Sequence, residues 1–103
     1  MGAIKPNNYT KNELNIALIA DAISHPLRAR MIEILSTNQS MRNIDFVNQF
    51  KMARTTIHNH LSKLKQAGLI DFEYSIHFYE VKLQYAKFDD LQSFINLINN
   101  CKN

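Results

Sequence analysis

The sequence predicts a mainly α-helical domain with one small β-hairpin, its elements following the order α-α-α-α-β-β-α. Apolar residues recur at spacings of three and four up to Gly68, and between residues 70 and 83 they alternate with polar residues. The helical spacing returns from about Asp89. We expect residues 1–9, which show no period, to form a flexible arm, and residues 10–103 to form a single domain around one hydrophobic core.

The first two predicted helices are separated by a proline. The first helix runs from about residue 10 to residue 23 and is apolar on nearly all sides, which predicts two packing partners, a second subunit being a candidate for one of them. Pro26 cannot continue a helix but suits the first turn of a new one, so the second helix is expected at residues 26–35. Its cap is either Ser24 or His25, and the polar residues that follow are expected to end it.

A short helix, a break and a longer helix come next. The third helix is expected at residues 44–50, and residues 51–53 separate it from a fourth helix at residues 54–67. Gly68 is the stop signal of the fourth helix. The apolar line of the third helix consists of Ile44, Val47 and Phe50.

The hairpin follows directly after Gly68. Two runs alternate apolar with polar residues, namely Ile70, Phe72 and Tyr74 in the first run and Tyr79, Val81 and Leu83 in the second. The turn between them is expected within residues 74–77, where no glycine marks it. Three helices with a short break before the last of them, followed by a hairpin, are the order of a winged helix-turn-helix domain. The second helix of such a motif lies in the major groove of DNA.

The composition excludes several other classes of protein. Hydrophobic residues make up 46% and charged residues 20% of the chain, which is the balance of a folded protein. No apolar run is long enough to span a membrane, so we expect a cytoplasmic protein without a membrane partner. The single cysteine, Cys101, excludes an internal disulfide. No cofactor is expected, and an enzyme is the least supported class because no nucleophile–base pair and no phosphate-binding glycine loop is present.

Basic charge is concentrated in the middle of the chain. The net charge of the whole chain is +3. Residues 42–65 contain five arginines and lysines against one aspartate, whereas residues 66–103 contain three lysines against five acidic residues. A concentration of cations of this kind attracts a polyanion such as DNA.

The fourth helix has an apolar face and a polar face. Spacings of three and four place Ile57, His60, Leu61 and Leu64 on the inward face. The polar residues of this helix are expected to contact DNA, and they are Arg54, Thr55, Thr56, His58, Asn59, Ser62, Lys63 and Lys65. His58 and His60 point about 200° apart around the helix, so they cannot bind one metal ion together.

These residue types have a chemistry that suits DNA. An asparagine such as Asn59 can form two hydrogen bonds to adenine, threonine offers a hydroxyl to bases and a methyl to thymine, and Arg54 can reach guanine or a phosphate. Lys63 and Lys65 are better placed for phosphates, which raises affinity without selecting a sequence. A polar face alone is equally typical of any solvated helix, and it is the surrounding architecture that favours DNA binding.

Three segments of the chain resemble the ArsR family, the arsenical-resistance type of winged-helix repressor. They are DAISHPLRARMIEIL at residues 21–35, TIHNHLSKLKQAGLI at residues 56–70 and FYEVKL at residues 78–83. The resemblance extends over nearly the whole chain from Thr10. It implies a winged helix-turn-helix fold and a homodimeric transcriptional repressor that binds a double-stranded DNA operator with two half-sites.

The same resemblance implies that the first and last helices form the dimer interface. In this chain it assigns Leu14, Leu18, Leu91, Phe94, Ile95 and Ile98 to that interface. Some of these apolar residues must also serve the core of the monomer. Two helices with more apolar surface than one small domain can cover nevertheless favour a dimer.

The chain departs from the pattern of the family at three places. Many members sense a metal through two cysteines in the third helix, and Arg42 and Ile44 stand at those positions, so no metal ligand is expected. Arg42 instead joins the residues expected to contact DNA. The wing has Ile76 where members have a glycine, and it lacks arginines, so His77 is its candidate cation for DNA. Ala53 replaces a hydroxyl cap before the fourth helix, which costs about 1 kcal/mol.

A second interpretation is a winged-helix protein-interaction module, such as an antitoxin-like or assembly adaptor, with weak or no reading of DNA. The wing without arginines and the acidic last third of the chain support it. The two interpretations differ in salt-sensitive DNA binding, which only a DNA-binding regulator requires. The residues identify no small-molecule inducer.

Overall fold

The fold is described by a computed structural model for residues 8–101. Within this range the elements are α1 (Lys11–Ala22), α2 (Pro26–Asn38), β1 (Ser40–Arg42), α3 (Asn43–Phe50), α4 (Arg54–Gln66), β2 (Ile70–Tyr74), β3 (Tyr79–Leu83) and α5 (Ala86–Asn100). The predicted mainly α-helical fold, with a hairpin between the fourth and the last helix, is confirmed. The predicted arm falls mostly on residues 1–7, which lie outside the described residues.

Strand β1 has no counterpart in the sequence prediction. It pairs antiparallel with β3, where Met41 lies opposite Val81, and β3 pairs with β2, where Phe72 lies opposite Val81. The sheet therefore has the order β1-β3-β2, and the prediction of a two-stranded hairpin was incomplete. A strand of three residues shows no readable period, and its partner Val81 lies 40 residues further along the chain. Its pairing consequently depends on the tertiary fold.

Side-chain caps define the beginning of the first two helices. Thr10 and Glu13 form a capping box, in which the Glu13 N–H donates to Thr10 Oγ1 at 3.1 Å and the Thr10 N–H donates to Glu13 Oε1 at 2.9 Å. At α2 the cap is His25 and not Ser24, since His25 Nδ1 accepts the N–H of Leu27 at 3.1 Å. Both helices thus begin where the sequence predicts.

Helices α2, α3 and α4 are each followed, within two residues, by a residue with a positive φ, namely Gln39, Lys51 and Gly68. The predicted end of α2 at residue 35 was wrong by three residues, because the helix continues to Asn38, within the polar residues that were expected to end it. The helix ends before Gln39, which has a φ of 63°. The predicted stop at Gly68 is found, with a φ of 78°, and the following N–H donates to the carbonyl of Leu64 at 3.1 Å. This hydrogen bond is typical of a Schellman motif.

The core lies between the helices and the sheet. Its largest fully buried side chains are Ile19, Met31, Leu35, Phe46, Ile57, Leu61, Leu64, Leu69, Ile70 and Val81. For α3 the predicted apolar line was incomplete, because Phe46 is the fully buried residue while Ile44, Val47 and Phe50 are half-buried. Helix α3 starts directly from β1 and packs against α4 and the sheet together, so two neighbours determine which of its sides is buried.

Candidate nucleic-acid interface

A turn of three residues connects α3 to α4. Lys51 ends α3 in the left-handed region with a φ of 55°, and its N–H donates to the carbonyl of Val47 at 2.9 Å. Ala53 precedes α4 and, as predicted, provides no side-chain hydrogen bond to cap it. Because the turn is this short, α3 packs on α4 and fixes its orientation. This arrangement is that of a helix-turn-helix unit.

The inward and outward faces predicted for α4 are found in the structure. Ile57, Leu61 and Leu64 are buried, and His60 is half-buried. The polar residues Arg54, Thr55, Thr56, His58, Asn59, Lys63 and Lys65 are exposed, and Ser62 is half-buried. Among the side-chain hydrogen bonds and ion pairs within residues 8–101, none involves Arg54, Asn59 or Lys63. These three side chains are therefore available for a ligand.

His58 is exposed, but both of its ring nitrogens have partners within the protein. Nδ1 lies 2.7 Å from the hydroxyl of Tyr79 on β3, and Nε2 lies 3.3 Å from Ser62 Oγ, one helical turn later. Burial raises the pKa of Tyr79 to about 12, and its protonated hydroxyl can donate a hydrogen bond to Nδ1. His58 thus connects α4 to the hairpin, a contact that the sequence alone did not indicate.

Arg42 is paired within the protein. Its Nη2 lies 2.9 Å from Asp45 Oδ1 and its Nε lies 3.3 Å from Asp45 Oδ2, while its guanidinium carbon is 5.6 Å from the centre of the Phe78 ring. The hydrogen bond from Arg42 lowers the pKa of the Asp45 carboxyl. Arg42 therefore supports the start of α3, and its contact with DNA stays a prediction.

The β2–β3 hairpin carries little free positive charge. Lys82 Nζ lies 2.8 Å from Glu73 Oε2 and 3.9 Å from Glu80 Oε2. The remaining basic side chain of residues 70–83 is His77, which is exposed in the turn between the two strands. The hairpin consequently adds little to the attraction of phosphates that α4 provides.

His60, in contrast to His58, packs against the protein as predicted. Its ring lies edge-to-face against the ring of His25, with the two centroids 4.6 Å apart. Desolvation by burial lowers the pKa of His60, and the charges of His25 and Arg28 lower it further. The folded protein therefore favours the neutral form of this side chain.

We expect the thermal unfolding midpoint to fall as the pH is lowered through 6.5, the ordinary pKa of histidine. The unfolded chain binds a proton at this value, whereas folded His60 binds one only at a lower pH. The contribution of neutral His60 to the stability of the fold is thus present above pH 6.5, and it is lost as the pH falls through the folded-state pKa of His60. Scanning calorimetry should show a smaller fall for His60→Gln, which does not titrate, and the full fall for Ser75→Ala, an exposed position of the β2–β3 turn. Equal falls in all three proteins would contradict this assignment.

Neither a metal site nor a membrane span is found in the described residues. Across residues 8–101, no group of three or more histidine, cysteine, aspartate and glutamate side chains is placed to hold a metal ion. Cys101 is exposed after the end of α5. No helix in the same range combines the length and the apolar character that crossing a bilayer requires.

The chain is similar to known bacterial transcription regulators. Residues 25–71 match the model of a family described as bacterial regulatory protein, arsR family. No curated protein sequence matches the chain.

Solved structures of several regulators share its fold. An ArsR family transcriptional regulator has a TM-score of 0.81 at 15% identity, over 90% of this chain and 95% of the other. An ArsR-like transcriptional regulator from Rhodococcus sp. RHA1 has a TM-score of 0.76 at 15% identity, over 88% of this chain and 85% of the other. The transcriptional repressor PagR of Bacillus anthracis has a TM-score of 0.64 at 13% identity, over 81% of this chain and 94% of the other. At such low identity the likeness shows the fold.

The matched segment contains α2, β1, α3 and α4, and thus the whole helix-turn-helix unit. The matched family model and the similar structures are those of transcription regulators. Residues 42 and 44, where many members have metal-binding cysteines, are arginine and isoleucine. Through its helix-turn-helix segment, the chain is similar to the arsR family of bacterial regulatory proteins, and it has a winged helix-turn-helix fold.

Proposed function

We propose that this protein is a homodimeric transcriptional repressor that binds double-stranded DNA in a sequence-specific manner, without a cysteine metal sensor. The observation that carries this proposal is the polar face of α4, which is exposed while the opposite face is held in the core. A helix held in this way fits the major groove, which is about 12 Å wide, and turns its polar side chains towards the base edges.

The exposed residues of α4 are assigned two kinds of contact, to base edges and to phosphates. Thr55 and Asn59 lie one turn apart on the helix, and we assign them to base edges, Asn59 being suited to adenine. Arg54, in the first turn, is assigned to guanine or a phosphate. Lys63 and Lys65 in the last turn are assigned to phosphates, where they raise the affinity for any DNA.

The surface proposed for dimerisation consists of α1 and α5. Leu14 and Leu18, one turn apart on α1, are 48% and 47% exposed, and Ile95 and Ile98 on α5 are 41% and 55% exposed. The other two residues predicted for the interface, Leu91 and Phe94, are half-buried in the single chain. Large apolar side chains that remain exposed on two adjacent helices support a second copy of the chain as their partner.

Polar contacts hold α1 and α5 side by side. Asn15 Nδ2 donates to Asp90 Oδ2 at 2.8 Å, and Lys87 Nζ donates to Asn15 Oδ1 at the same distance. All three side chains are partly buried. Because these contacts fix the two helices to each other, a partner subunit meets both helices together, which favours one continuous interface over two separate ones.

Repression is the proposed outcome of binding. A dimer on an operator with two half-sites covers DNA that the transcription machinery would otherwise occupy. One of the structural neighbours, PagR of Bacillus anthracis, is named a transcriptional repressor. Because PagR and this chain share a fold, its role as a transcriptional repressor supports the proposal that this protein is also a repressor.

Fluorescence anisotropy with the duplex upstream of the protein's own gene tests the proposal. We expect tighter binding to this duplex than to a scrambled one at physiological salt, with an affinity that falls as the salt concentration rises. Equal binding to both duplexes would overturn the proposal of a sequence-specific regulator. A stoichiometric protein partner without any salt-sensitive DNA binding would favour a protein-interaction module instead.

Two substitutions in α4 should separate the reading of sequence from general affinity. Asn59→Ala is expected to weaken operator binding by about 1–3 kcal/mol and to leave binding to scrambled DNA almost unchanged, because a base-edge contact is lost. Lys63→Ala is expected to weaken binding to both duplexes alike and to reduce the salt slope by about 1. Titrations of both variants on both duplexes measure these effects. Equal losses for the two variants on the two duplexes would contradict the roles assigned here.

A further inference from the structure

The tip of the hairpin exposes apolar side chains to an unusual degree. Ile76 is 90% exposed and Tyr74 is 71% exposed, which makes them the two most exposed large apolar residues of the described chain. Both belong to residues 74–77, at the end of β2 and in the turn before β3. They are not part of the surface formed by α1 and α5. An exposed apolar residue by itself is ordinary, so the case depends on how the tip is held and on what it faces.

The tip is held firmly in place. The Ser75 N–H donates to the carbonyl of Phe78 at 2.9 Å and closes the turn. Below it, the rings of Phe72 and Tyr79 have centroids 4.4 Å apart, and the ring of Tyr74 lies 5.7 Å from that of Tyr79. A hairpin supported by packed aromatic rings presents its tip with little loss of conformational freedom on binding.

The hairpin also contacts α4 through side chains. Tyr79 binds His58 of α4 at 2.7 Å, and Lys65 Nζ of α4 lies 5.6 Å from the centre of the Phe72 ring. Ile76 precedes Tyr79 by three residues and lies in the turn between β2 and β3, beyond the point at which Tyr79 contacts α4. With α4 in the major groove, the turn of a hairpin that contacts this helix would face the adjacent backbone and groove.

The charge of the hairpin argues against a phosphate contact as the main role of the tip. Lys82 is paired with Glu73, and His77 is the remaining basic side chain of residues 70–83. An apolar tip gains little from a phosphate but gains from desolvation between bases. Architectural proteins insert isoleucine, leucine, methionine or phenylalanine into base steps from the minor groove.

We propose that Ile76 is a wedge that enters the minor groove of the bound DNA and partly unstacks one base step, with Tyr74 packing against the adjacent sugar. The inference rests on the proposed DNA-binding function and adds a specificity-determining residue to it. Pyrimidine–purine steps unstack most easily, so the wedge selects TA or CA steps beside the sequence that α4 reads. The hairpin thereby contributes specificity through the shape and deformability of DNA instead of through charge.

The test uses the full-length protein and a duplex that the wild-type protein selects from a random DNA pool. We expect Ile76→Ala to weaken binding roughly tenfold, as for the loss of one buried apolar contact, with the salt slope unchanged. Ile76→Met should retain most of the affinity, because methionine also serves as a wedge. Ser75→Ala, in the same exposed turn, is the matched control and should bind within about twofold of the wild type.

A second readout detects the wedge directly. 2-Aminopurine placed in turn at the adenines that flank the selected core should brighten at one position when the wild-type protein binds, and Ile76→Ala should abolish the brightening. Wild-type affinity of Ile76→Ala, or unchanged brightening with it, would overturn the wedge. If the selected duplex is bound specifically and Asn59→Ala relaxes that specificity, a failed Ile76 test refutes the wedge but leaves the proposed DNA-binding function standing. If the wild-type protein selects no duplex, the proposed function itself fails.

Discussion

Replacing Phe46 with alanine is expected to lower the free energy of unfolding by about 3–5 kcal/mol. The side chain is fully buried, and its ring lies nearly parallel to that of Phe50, with the centroids 6.1 Å apart. Truncation removes this apolar surface from the core and leaves a cavity between α3, α4 and the sheet. Because a domain of this size is stable by only about 5–15 kcal/mol, the variant loses a large part of its stability.

Urea denaturation measures this loss. The protein concentration is held constant, since the proposed dimerisation would make the apparent stability depend on it. Gln49→Ala, at an exposed position of the same helix, is the matched control and should change the free energy of unfolding by no more than about 0.5 kcal/mol. A loss from Phe46→Ala as small as that of the control would show that α3 buries a different side in solution.

Placing a negative charge on both helices of the proposed dimer surface is expected to separate the subunits. In the double variant Leu18→Glu/Ile98→Glu, both sites are about half-exposed in the single chain, so the fold of the monomer tolerates the change. In the dimer, each carboxylate is removed from water without a partner. We expect a monomer and a loss of operator affinity of about 100-fold or more, because the two half-sites are then bound independently.

Analytical ultracentrifugation measures the oligomeric state, and anisotropy with the selected duplex measures the affinity. Gln84→Glu adds the same kind of charge at an exposed position between β3 and α5, and it should leave both quantities unchanged. Circular dichroism establishes that the double variant remains folded. A double variant that is still dimeric, or a wild-type protein that is monomeric at micromolar concentration, would contradict the proposed interface.

Much of the fold could be predicted because its signals are local. The capping box at Thr10, the proline at the start of α2 and the glycine after α4 mark helix ends through interactions within a few residues of the chain. The division of α4 into a buried and an exposed face also follows from its spacing, and the structure places Ile57 and Asn59 on opposite sides as expected. The bounds of the hairpin follow from alternation in the same way.

The features that could not be predicted depend on partners that are distant in sequence. Strand β1 exists because Met41 meets Val81, and three residues carry no period that would reveal it. Phe46 is buried because α3 packs against α4 and the sheet together. The buried side of α3 therefore differs from the line of Ile44, Val47 and Phe50 that the spacing predicts. The hydrogen bond between His58 and Tyr79 joins residues that are 21 positions apart in the sequence. One lies on a helix and the other on a strand, and the pattern of neither element predicts a contact with the other.

The sequence by itself determined which segments are helical, where α4 begins, which of its faces is polar, and which family its motifs resemble. These properties depend on backbone preferences and on side-chain spacing within single elements. Only the tertiary structure decided that the hairpin is fastened to α4 through His58, that its lysine is paired with glutamate, and that Ile76 stands exposed at its tip. Those properties arise from contacts between elements, and such contacts exist only once the core has brought the elements together.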